Sequence, residues 1–360
     1  MTFKKVFAFS IGPIGAAFLS FISLPIITWF FEPEDIGRIA MLQVLLSFCV
    51  LLFSLGLDQA YVREYHESDN TNSLFYACCI PGLIVLFISI CVVFLIPVSV
   101  SNLLFGLDSL LIELMVVVCL LFSFISRFLS LILRMQGRGV AFSMGQLLPK
   151  LIFLLVICSY ILFVLNFRFI HLFLAHLISI TCVTLIFIWN TRSILFVVFR
   201  EKIDFKKLQS MLHFGTPLIF GGLAFWGLTA MDKAFLRAVS TFDELAQYSV
   251  AVSFAAAAVI FQSVFSTLWA PTVYKWAADG VDLHKIDQIT EYVLIAVLLL
   301  FSFAGLFSWL VIYLLPDGYV DVQYILVCCM AYPLFYTLSE STVVGLGIKK
   351  RAGILCLPLV

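Results

Sequence analysis

Long apolar runs separated by short polar segments are the dominant pattern along this sequence. A helix needs about 20 apolar residues to cross the hydrocarbon core of a bilayer, so each such run predicts one membrane span. The ten predicted spans are Phe7–Phe30, Gly37–Val62, Leu74–Pro97, Leu110–Leu133, Val140–Leu165, Ile170–Asn190, Phe214–Arg237, Gln247–Pro271, Glu291–Leu315 and Val322–Gly345. The short run Ala352–Val360 would start an eleventh. The pattern therefore predicts an all-α polytopic membrane protein.

Composition supports the same class. Of the 360 residues, 63% are hydrophobic and only 12% are charged. Soluble domains carry about a quarter charged residues, so a soluble domain is excluded. The formal net charge is zero, and the positions of the charges are therefore more informative than their sum.

The basic residues fall mainly on one side of the predicted membrane. Fifteen of them lie in alternate loops and at the termini: Lys4, Lys5, Arg63, Arg134, Arg138, Arg192, Arg200, Lys202, Lys206, Lys207, Lys275, Lys285, Lys349, Lys350 and Arg351. The opposite loops contain three, Arg38, Arg168 and Arg237. Because cytoplasmic loops are enriched in Lys and Arg, we expect the N-terminus to lie in the cytoplasm.

One basic segment divides the spans into two groups. Residues Thr191–His213 alternate basic and apolar stretches, which predicts an amphipathic helix on the anionic inner leaflet. We expect a six-helix N-terminal lobe at residues 1–190 and this basic amphipathic cytoplasmic linker at residues 191–213. A C-terminal lobe, lacking its last spans, would occupy residues 214–360.

The two groups of spans share short motifs. Pro33-Glu34-Asp35-Ile36-Gly37 follows span one, and Phe242-Asp243-Glu244-Leu245-Ala246 follows span seven. Each of these two spans begins with a Gly and Pro, as Gly12-Pro13 or as Gly215-Thr216-Pro217. Since spans one and seven point the same way, the motifs indicate a parallel repeat about an axis along the membrane normal.

Span seven, Phe214–Arg237, departs most from a simple membrane helix. Asp232 and Lys233 are adjacent opposite charges within it, and charges inside a span are usually directed at protein or water. Gly215 and Pro217 weaken a helix that only needs to cross the bilayer. These features favour a transporter helix.

Cations lie at several depths in the predicted bundle. Lys150 is near the middle of span five, Arg127 is in the inner third of span four, and Lys233 is in the outer third of span seven. A charge at mid-membrane costs about 2.5–3.5 kcal/mol. We expect Lys150, Arg127, Lys233 and Arg237 to line a path for an anionic headgroup such as pyrophosphate. The alternatives are a salt bridge for Lys150 and snorkelling to an interface for Arg127 and Lys233.

Three acids lie in the interior of predicted spans, while Glu113 is near an outer end and Glu291 near an inner end of theirs. Asp232 is interpreted as the charge partner of its neighbour Lys233. Asp58 and Glu340 are candidates for binding a coupling proton or Na⁺. Neutralisation of the intramembrane cations, or placement at an interface, is the alternative for all three.

Signals of enzymatic chemistry are absent from the pattern. There is no phosphate-binding loop of the Walker type. The five histidines are scattered without metal-ligand spacing, and no Ser/His/Asp set is visible. We expect no catalytic residues, no metal and no cofactor.

The segment FGTPLIFGGLAFWGLTAMDKAFLRAVSTFDELAQYSVAVSF resembles the corresponding region of polysaccharide-exporting flippases. These are the O-antigen and repeat-unit translocases of the multidrug/oligosaccharidyl-lipid/polysaccharide exporter superfamily. The residues that carry the likeness are Gly215, Pro217, Trp226, Asp232, Leu236, Glu244 and Tyr248. Further similar stretches are Glu34-Asp35-Ile36-Gly37, Gly56-Leu57-Asp58-Gln59 leading to Arg63, and Arg134-Met135-Gln136-Gly137. Ala246 departs from the pattern, which has a glycine there.

The resemblance implies two six-helix lobes around a central cationic cavity that works by alternating access. The implied cargo is an undecaprenyl-pyrophosphate-linked oligosaccharide, carried across the bacterial inner membrane for O-antigen or capsule synthesis. Implied partners are membrane lipids, a polysaccharide polymerase and a chain-length regulator, with no nucleic acid. Two alternatives stay open: a cation-coupled multidrug antiporter of the same architecture, and a membrane enzyme of glycan assembly such as a polymerase or acyltransferase.

Overall fold

The structure is a computed structural model that describes residues 3–68, 70–96, 99–163, 167–198, 205–278 and 284–348. Its regular structure within these ranges is helical. The α-helices are α1 Phe3–Phe30, α2 Pro33–Phe53, α3 Leu57–Glu64, α4 Thr71–Leu95, α5 Val100–Phe105, α6 Leu110–Met135, α7 Gly139–Phe163, α8 Phe169–Val198, α9 Phe205–Val239, α10 Phe242–Phe254, α11 Ala256–Ala278, α12 His284–Phe307 and α13 Val322–Ile348. Short 3₁₀ turns at Ser308–Tyr313 and Asp317–Tyr319 join α12 to α13.

The described helices confirm the predicted fold class. Nine of them are long and apolar enough to cross a membrane, and the bent pair Phe242–Phe254 and Ala256–Ser266 makes up to ten. These match the ten predicted spans in order. The predicted start of an eleventh, at Ala352–Val360, lies outside the described residues.

Two predicted spans are each divided into two helices. Predicted span two becomes α2 and α3, because Leu55 and Gly56 adopt left-handed conformations with φ of 54° and 66°. Predicted span eight becomes α10 and α11, with a bend of 43° at the junction. A hydropathy pattern records how apolar a segment is, so left-handed residues within it leave no trace.

Helix α9 is continuous from Phe205 to Val239, although it contains Gly215 and Pro217. The glycine has a packing role, because a Cβ built on Gly215 would lie 2.8 Å from the carbonyl oxygen of Leu55. On the other side of the contact, a Cβ on Gly56 would lie 2.2 Å from the carbonyl oxygen of Gly215. The backbone of α9 therefore touches the break between α2 and α3.

The chain separates into two compact units, residues 1–246 and 247–360. In the first unit α1 packs on α7, α7 on α8, α8 on α6, and α9 on α2 and α3. Its aromatic core includes Tyr61, Phe75, Phe124 and Phe128. In the second unit α13 packs against α11 and α12.

The predicted linker falls on the ends of α8 and α9. Residues 199–204 lie outside the described ranges. In the first turns of α9, Met211 is 2% exposed and its sulfur lies 3.7 Å from Sγ of Cys78 on α4. The predicted lobe and linker boundaries, and the parallel repeat, stay predictions.

Candidate functional site

Lys150 lies near the middle of the 25-residue helix α7, directly after Pro149. Its side chain is partly buried, and it has no carboxylate ion-pair partner within the described residues. Two titratable groups interact electrostatically with Lys150, and both are basic. They are Lys233 on α9 and His176 on α8. Basic side chains on α8 and α9 therefore lie within electrostatic range of Lys150.

His176 was not among the residues predicted from sequence. Its Nε2 atom is buried and has no hydrogen-bond partner among the residues that the structure describes. Its ring makes an edge contact with Phe153 of α7, with centroids 6.2 Å apart, and the charge of Lys150 acts on it. A buried polar atom without a partner is uncommon in native proteins, so this imidazole is the feature of the site that most needs an explanation.

Asp232 and Lys233 lie near the end of α9. The Asp232 side chain is exposed, whereas Lys233 is partly buried. The carboxylate oxygen Oδ1 of Asp232 accepts a hydrogen bond from the backbone amide of Lys233 at 2.8 Å. The Asp232 carboxylate thus contacts the backbone of Lys233. That Asp232 is the charge partner of the Lys233 ammonium stays a prediction.

Arg127 and Asp58 form an ion pair. The sequence predicts different roles for the two, Arg127 on the path of the anionic headgroup and Asp58 as a coupling acid. The Nη2 atom of Arg127 donates to Oδ2 of Asp58 at 2.7 Å. The carboxylate side chain is 9% exposed and the arginine side chain is 44% exposed. The pair lies in an open groove of about 420 Å³, whose other polar lining residues are Ser47, Ser54 and Ser123.

Helix α9 contacts one residue of this groove, Ser47, through Trp226. The indole Nε1 of Trp226 donates to Oγ of Ser47 on α2 at 3.0 Å. Its ring lies beside Phe48, with centroids 5.0 Å apart. Trp226 therefore attaches α9 to α2 next to the ion pair.

Arg237 is held by peptide carbonyls and an aromatic ring. Its guanidinium donates to the carbonyl oxygens of Leu103 and Leu104, each at 3.4 Å, near the C-terminus of α5. A helix C-terminus is the negative end of the helix dipole. The guanidinium carbon also lies 4.4 Å from the centre of the Phe242 ring. This anchoring fits a structural role at least as well as a place on a substrate path.

Arg38 joins the same cluster from α2. It pairs with Glu34 at 2.7 Å and with Asp35 at 2.8 Å. It also donates to the carbonyl oxygen of Phe105 at 3.0 Å, and its guanidinium lies 5.1 Å from the Phe242 ring centre. Arg38 thus ties the start of α2 to the end of α5, and the Phe242 ring lies against both arginines.

Glu340 lies in the second unit, on α13. Its side chain is partly buried and its Oε2 accepts a hydrogen bond from Oγ of Ser266 on α11. The contact links two helices of that unit. Whether Glu340 or Asp58 binds a coupling ion stays a prediction.

The structure brings the predicted residues together only in part. Lys150 and Lys233 interact, Arg127 pairs with Asp58, and Arg237 belongs to the cluster around Phe242. No group of three or more His, Cys, Asp or Glu side chains that could hold a metal ion occurs among the described residues.

Comparison with known proteins confirms the fold. A solved structure described as the inward-facing conformation of a multidrug resistance MATE family transporter of the MOP superfamily aligns with a TM-score of 0.60 and 15% identity. The alignment covers 94% of this chain and 83% of that one. A crystal structure of MATE in complex with MaD3S aligns with a TM-score of 0.50 and 15% identity, over 98% of this chain and 84% of that one.

No curated protein sequence matches this chain. The family described as polysaccharide biosynthesis protein matches residues 2–276, which is most of the sequence. The resemblance stated from the motifs is thereby confirmed, and this multi-pass membrane protein with a transporter fold belongs to the polysaccharide biosynthesis protein family.

Proposed function

We propose that this chain carries an undecaprenyl-pyrophosphate-linked oligosaccharide across the bacterial inner membrane, by alternating access, for O-antigen or capsule synthesis. The observation that carries the proposal is Lys150. It is a partly buried cation near the middle of α7, its electrostatic neighbours are basic, and no acid pairs with it within the described residues. Membership of a polysaccharide biosynthesis family supports the choice of cargo.

The physical reason lies in the uncompensated charge. An ammonium group at mid-membrane is costly, and a second cation nearby increases the cost. A phosphate or diphosphate group between Lys150 and Lys233 would lower the energy of both. Each phosphoryl group of a diphosphate diester carries one negative charge, which matches a site that contains more than one cation.

The rest of the cargo suits the same arrangement. The polyprenyl chain is apolar and remains in the bilayer, whereas the sugars and the diphosphate need a polar route. Binding at a cationic site of moderate strength allows the headgroup to enter and to leave again. A polymerase and a chain-length regulator would act on the cargo after its release.

Complementation of a flippase-null strain tests the proposal, with surface glycan as the measurement. Lys150→Ala is expected to abolish glycan display at normal membrane expression, because the diphosphate loses its deepest cation. Lys150→Arg keeps the charge and is expected to retain part of the activity. Gln146→Ala is the matched control, since Gln146 is an exposed polar residue one turn earlier on α7, and it should behave as the wild type.

Unchanged glycan display with Lys150→Ala would contradict the proposal. The second candidate function is a cation-coupled drug antiporter, and it is favoured by the multidrug transporter among the structural neighbours and by the partly buried Glu340. The same strains distinguish the two functions. Protection against toxic organic cations, dependent on Glu340 and without rescue of glycan, would support the antiporter.

A further inference from the structure

The unpartnered Nε2 atom of His176 points to a role beyond packing. It is buried, it has no hydrogen-bond partner within the described part of the chain, and the ammonium of Lys150 acts on it electrostatically. Imidazole changes its charge between pH 5 and 8 more readily than any other side chain. Within the described ranges, this polar atom has no hydrogen-bond partner and the nearby cation has no acid partner, which suggests that a third component completes the site.

The other charged groups around His176 are already accounted for. Helix α8 packs against α2, α4, α6 and α7. Helix α4 contains no charged residue, and Lys150 is the one charged residue of α7. On α6, Glu113 accepts from Ser99 and Ser101.

The remaining charged residues on these helices have partners or lie apart. Arg127 on α6 pairs with Asp58, and Arg38 on α2 pairs with Glu34 and Asp35. Arg134 ends α6 as an exposed residue. Among the described charges, Lys150 is the one that acts on His176.

His171 and Arg192, on α8 itself, are engaged elsewhere. The Nδ1 atom of His171 accepts from the backbone amide of Arg168 at 3.3 Å, and its ring lies 5.6 Å from that of Tyr160. The Arg192 guanidinium lies 4.2 Å from the Trp189 ring centre. Both side chains are therefore engaged in contacts away from His176.

We propose that His176 is a second ligand of the anion bound at Lys150, donating from Nε2 to a phosphate oxygen, and that it takes up a proton from water when the anion binds. This inference rests on the proposed function. Without an anion, a proton on His176 would place a second positive charge beside Lys150 in a medium of low dielectric. With a phosphate group in place, both cations face a negative charge, so anion binding and protonation stabilise each other.

The linkage predicts that affinity depends on pH. The protonated form binds the anion more tightly, so affinity rises as pH falls through the titration of His176 and levels off below it. Where the linkage is strongest, the dissociation constant changes by up to about tenfold per pH unit, which corresponds to one proton taken up. On release of the anion the proton returns to water.

The test uses the purified full chain in lipid nanodiscs, with farnesyl-diphospho-N-acetylglucosamine as the probe. The phosphates of this diphosphate diester do not titrate between pH 5.5 and 8.5, so any pH dependence comes from the protein. Calorimetry in buffers of different ionisation enthalpy counts the protons taken up. For the wild type we expect uptake that approaches one proton per probe molecule near neutral pH.

Two variants on α8 separate the roles. His176→Gln keeps a neutral hydrogen-bond donor and is expected to bind the probe with no proton uptake and a flat pH profile. His171→Gln is the matched control on the same helix and is expected to retain both the uptake and the profile. Thermal unfolding of each variant checks that it is folded.

The possible outcomes distinguish this inference from the proposed function. Probe binding that depends on Lys150 but shows no proton uptake in the wild type would overturn the role of His176 alone. Proton uptake that persists in folded His176→Gln would do the same. Binding that is unchanged by Lys150→Ala, or no binding by the wild type, would overturn the proposed function. If His176→Gln does not fold, the wild-type proton count and the His171→Gln profile decide.

Discussion

At the scale of single residues, the ion pair between Arg127 and Asp58 is asymmetric. The carboxylate is almost completely buried, whereas nearly half of the arginine side chain is exposed in the groove. Removing the arginine would leave a buried carboxylate without its ion-pair partner. Removing the carboxylate would leave a cation that is already 44% exposed. The buried carboxylate therefore depends on the arginine more than the arginine depends on the carboxylate.

Arg127→Gln is expected to lower stability more than Asp58→Asn. An unsatisfied buried group costs about 1–3 kcal/mol, while the exposed arginine relaxes at a smaller cost. The double variant Asp58→Asn with Arg127→Gln should be more stable than Arg127→Gln alone, because no buried charge then remains. Thermal unfolding of the purified protein in detergent measures all three.

Arg134→Gln provides the control for that comparison. It removes an exposed arginine from the same helix, α6, and should change the melting temperature little. Equal losses for the two single variants, adding in the double variant, would mean that the pair contributes no coupling energy.

Some residues of the site can be identified from the sequence because they are charged residues inside long apolar runs. Lys150 was visible, since a lysine inside a long apolar run is rare and costly. His176 was not visible, because a neutral histidine in an apolar helix is common and only the fold shows that its Nε2 has no partner among the described residues. The pairing of Arg127 with Asp58 joins residues 69 positions apart, and neither hydropathy nor spacing contains that information.

At the scale of helices, the contact between α9 and the break after α2 depends on two glycines. Gly56 needs a left-handed backbone and Gly215 allows the two backbones to touch. Elsewhere on α9, a Cβ on Gly221 would meet nothing within 4 Å. The same helix therefore offers one glycine that is required by packing and one that is not.

Gly215→Ala is expected to destabilise the protein, because its Cβ would collide with the carbonyl of Leu55 and push α9 away from α2 and α3. Gly221→Ala is expected to be neutral or stabilising, since alanine is favoured over glycine inside a helix by about 0.5–1 kcal/mol. Melting temperatures and gel-filtration profiles in detergent measure both. Equal behaviour of the two variants would contradict the assigned contact.

The sequence predicted the number and order of the helices but not their breaks. About 20 apolar residues in a row are a strong signal, because few other structures accommodate them. Gly215 and Pro217 were interpreted as weakening span seven, yet α9 is continuous through both. The actual break, at Leu55 and Gly56, depends on backbone angles that the neighbouring α9 helps to fix.

At the scale of the whole molecule, the basic residues predict which side of the membrane each loop occupies. The structure supplies helices without a bilayer, so this orientation stays a prediction. It bears on the proposed transport, because the resemblance implies that the cargo is carried from the cytoplasmic to the periplasmic leaflet.

Reporter fusions test the orientation. Green fluorescent protein fused after Glu67 is expected to fluoresce, and alkaline phosphatase fused after Asp108 is expected to be active, since these loops follow spans two and three. The opposite pair of fusions should be dark and inactive. A reversed pattern would place the N-terminus outside and would contradict the charge-based prediction.

The contact between Gly56 and Gly215 differs from the Arg127–Asp58 ion pair in whether a second substitution could compensate for a first. Exchanging the two charges of Asp58 and Arg127 would recreate an attraction, so a loss at one position has a conceivable compensation at the other. No substitution at Gly215 makes room for a side chain at Gly56, because the obstructing atom belongs to the peptide backbone. Second-site suppressors at the partner position are therefore impossible for the glycines, and in evolution the two positions can change only if the helix crossing itself is rebuilt.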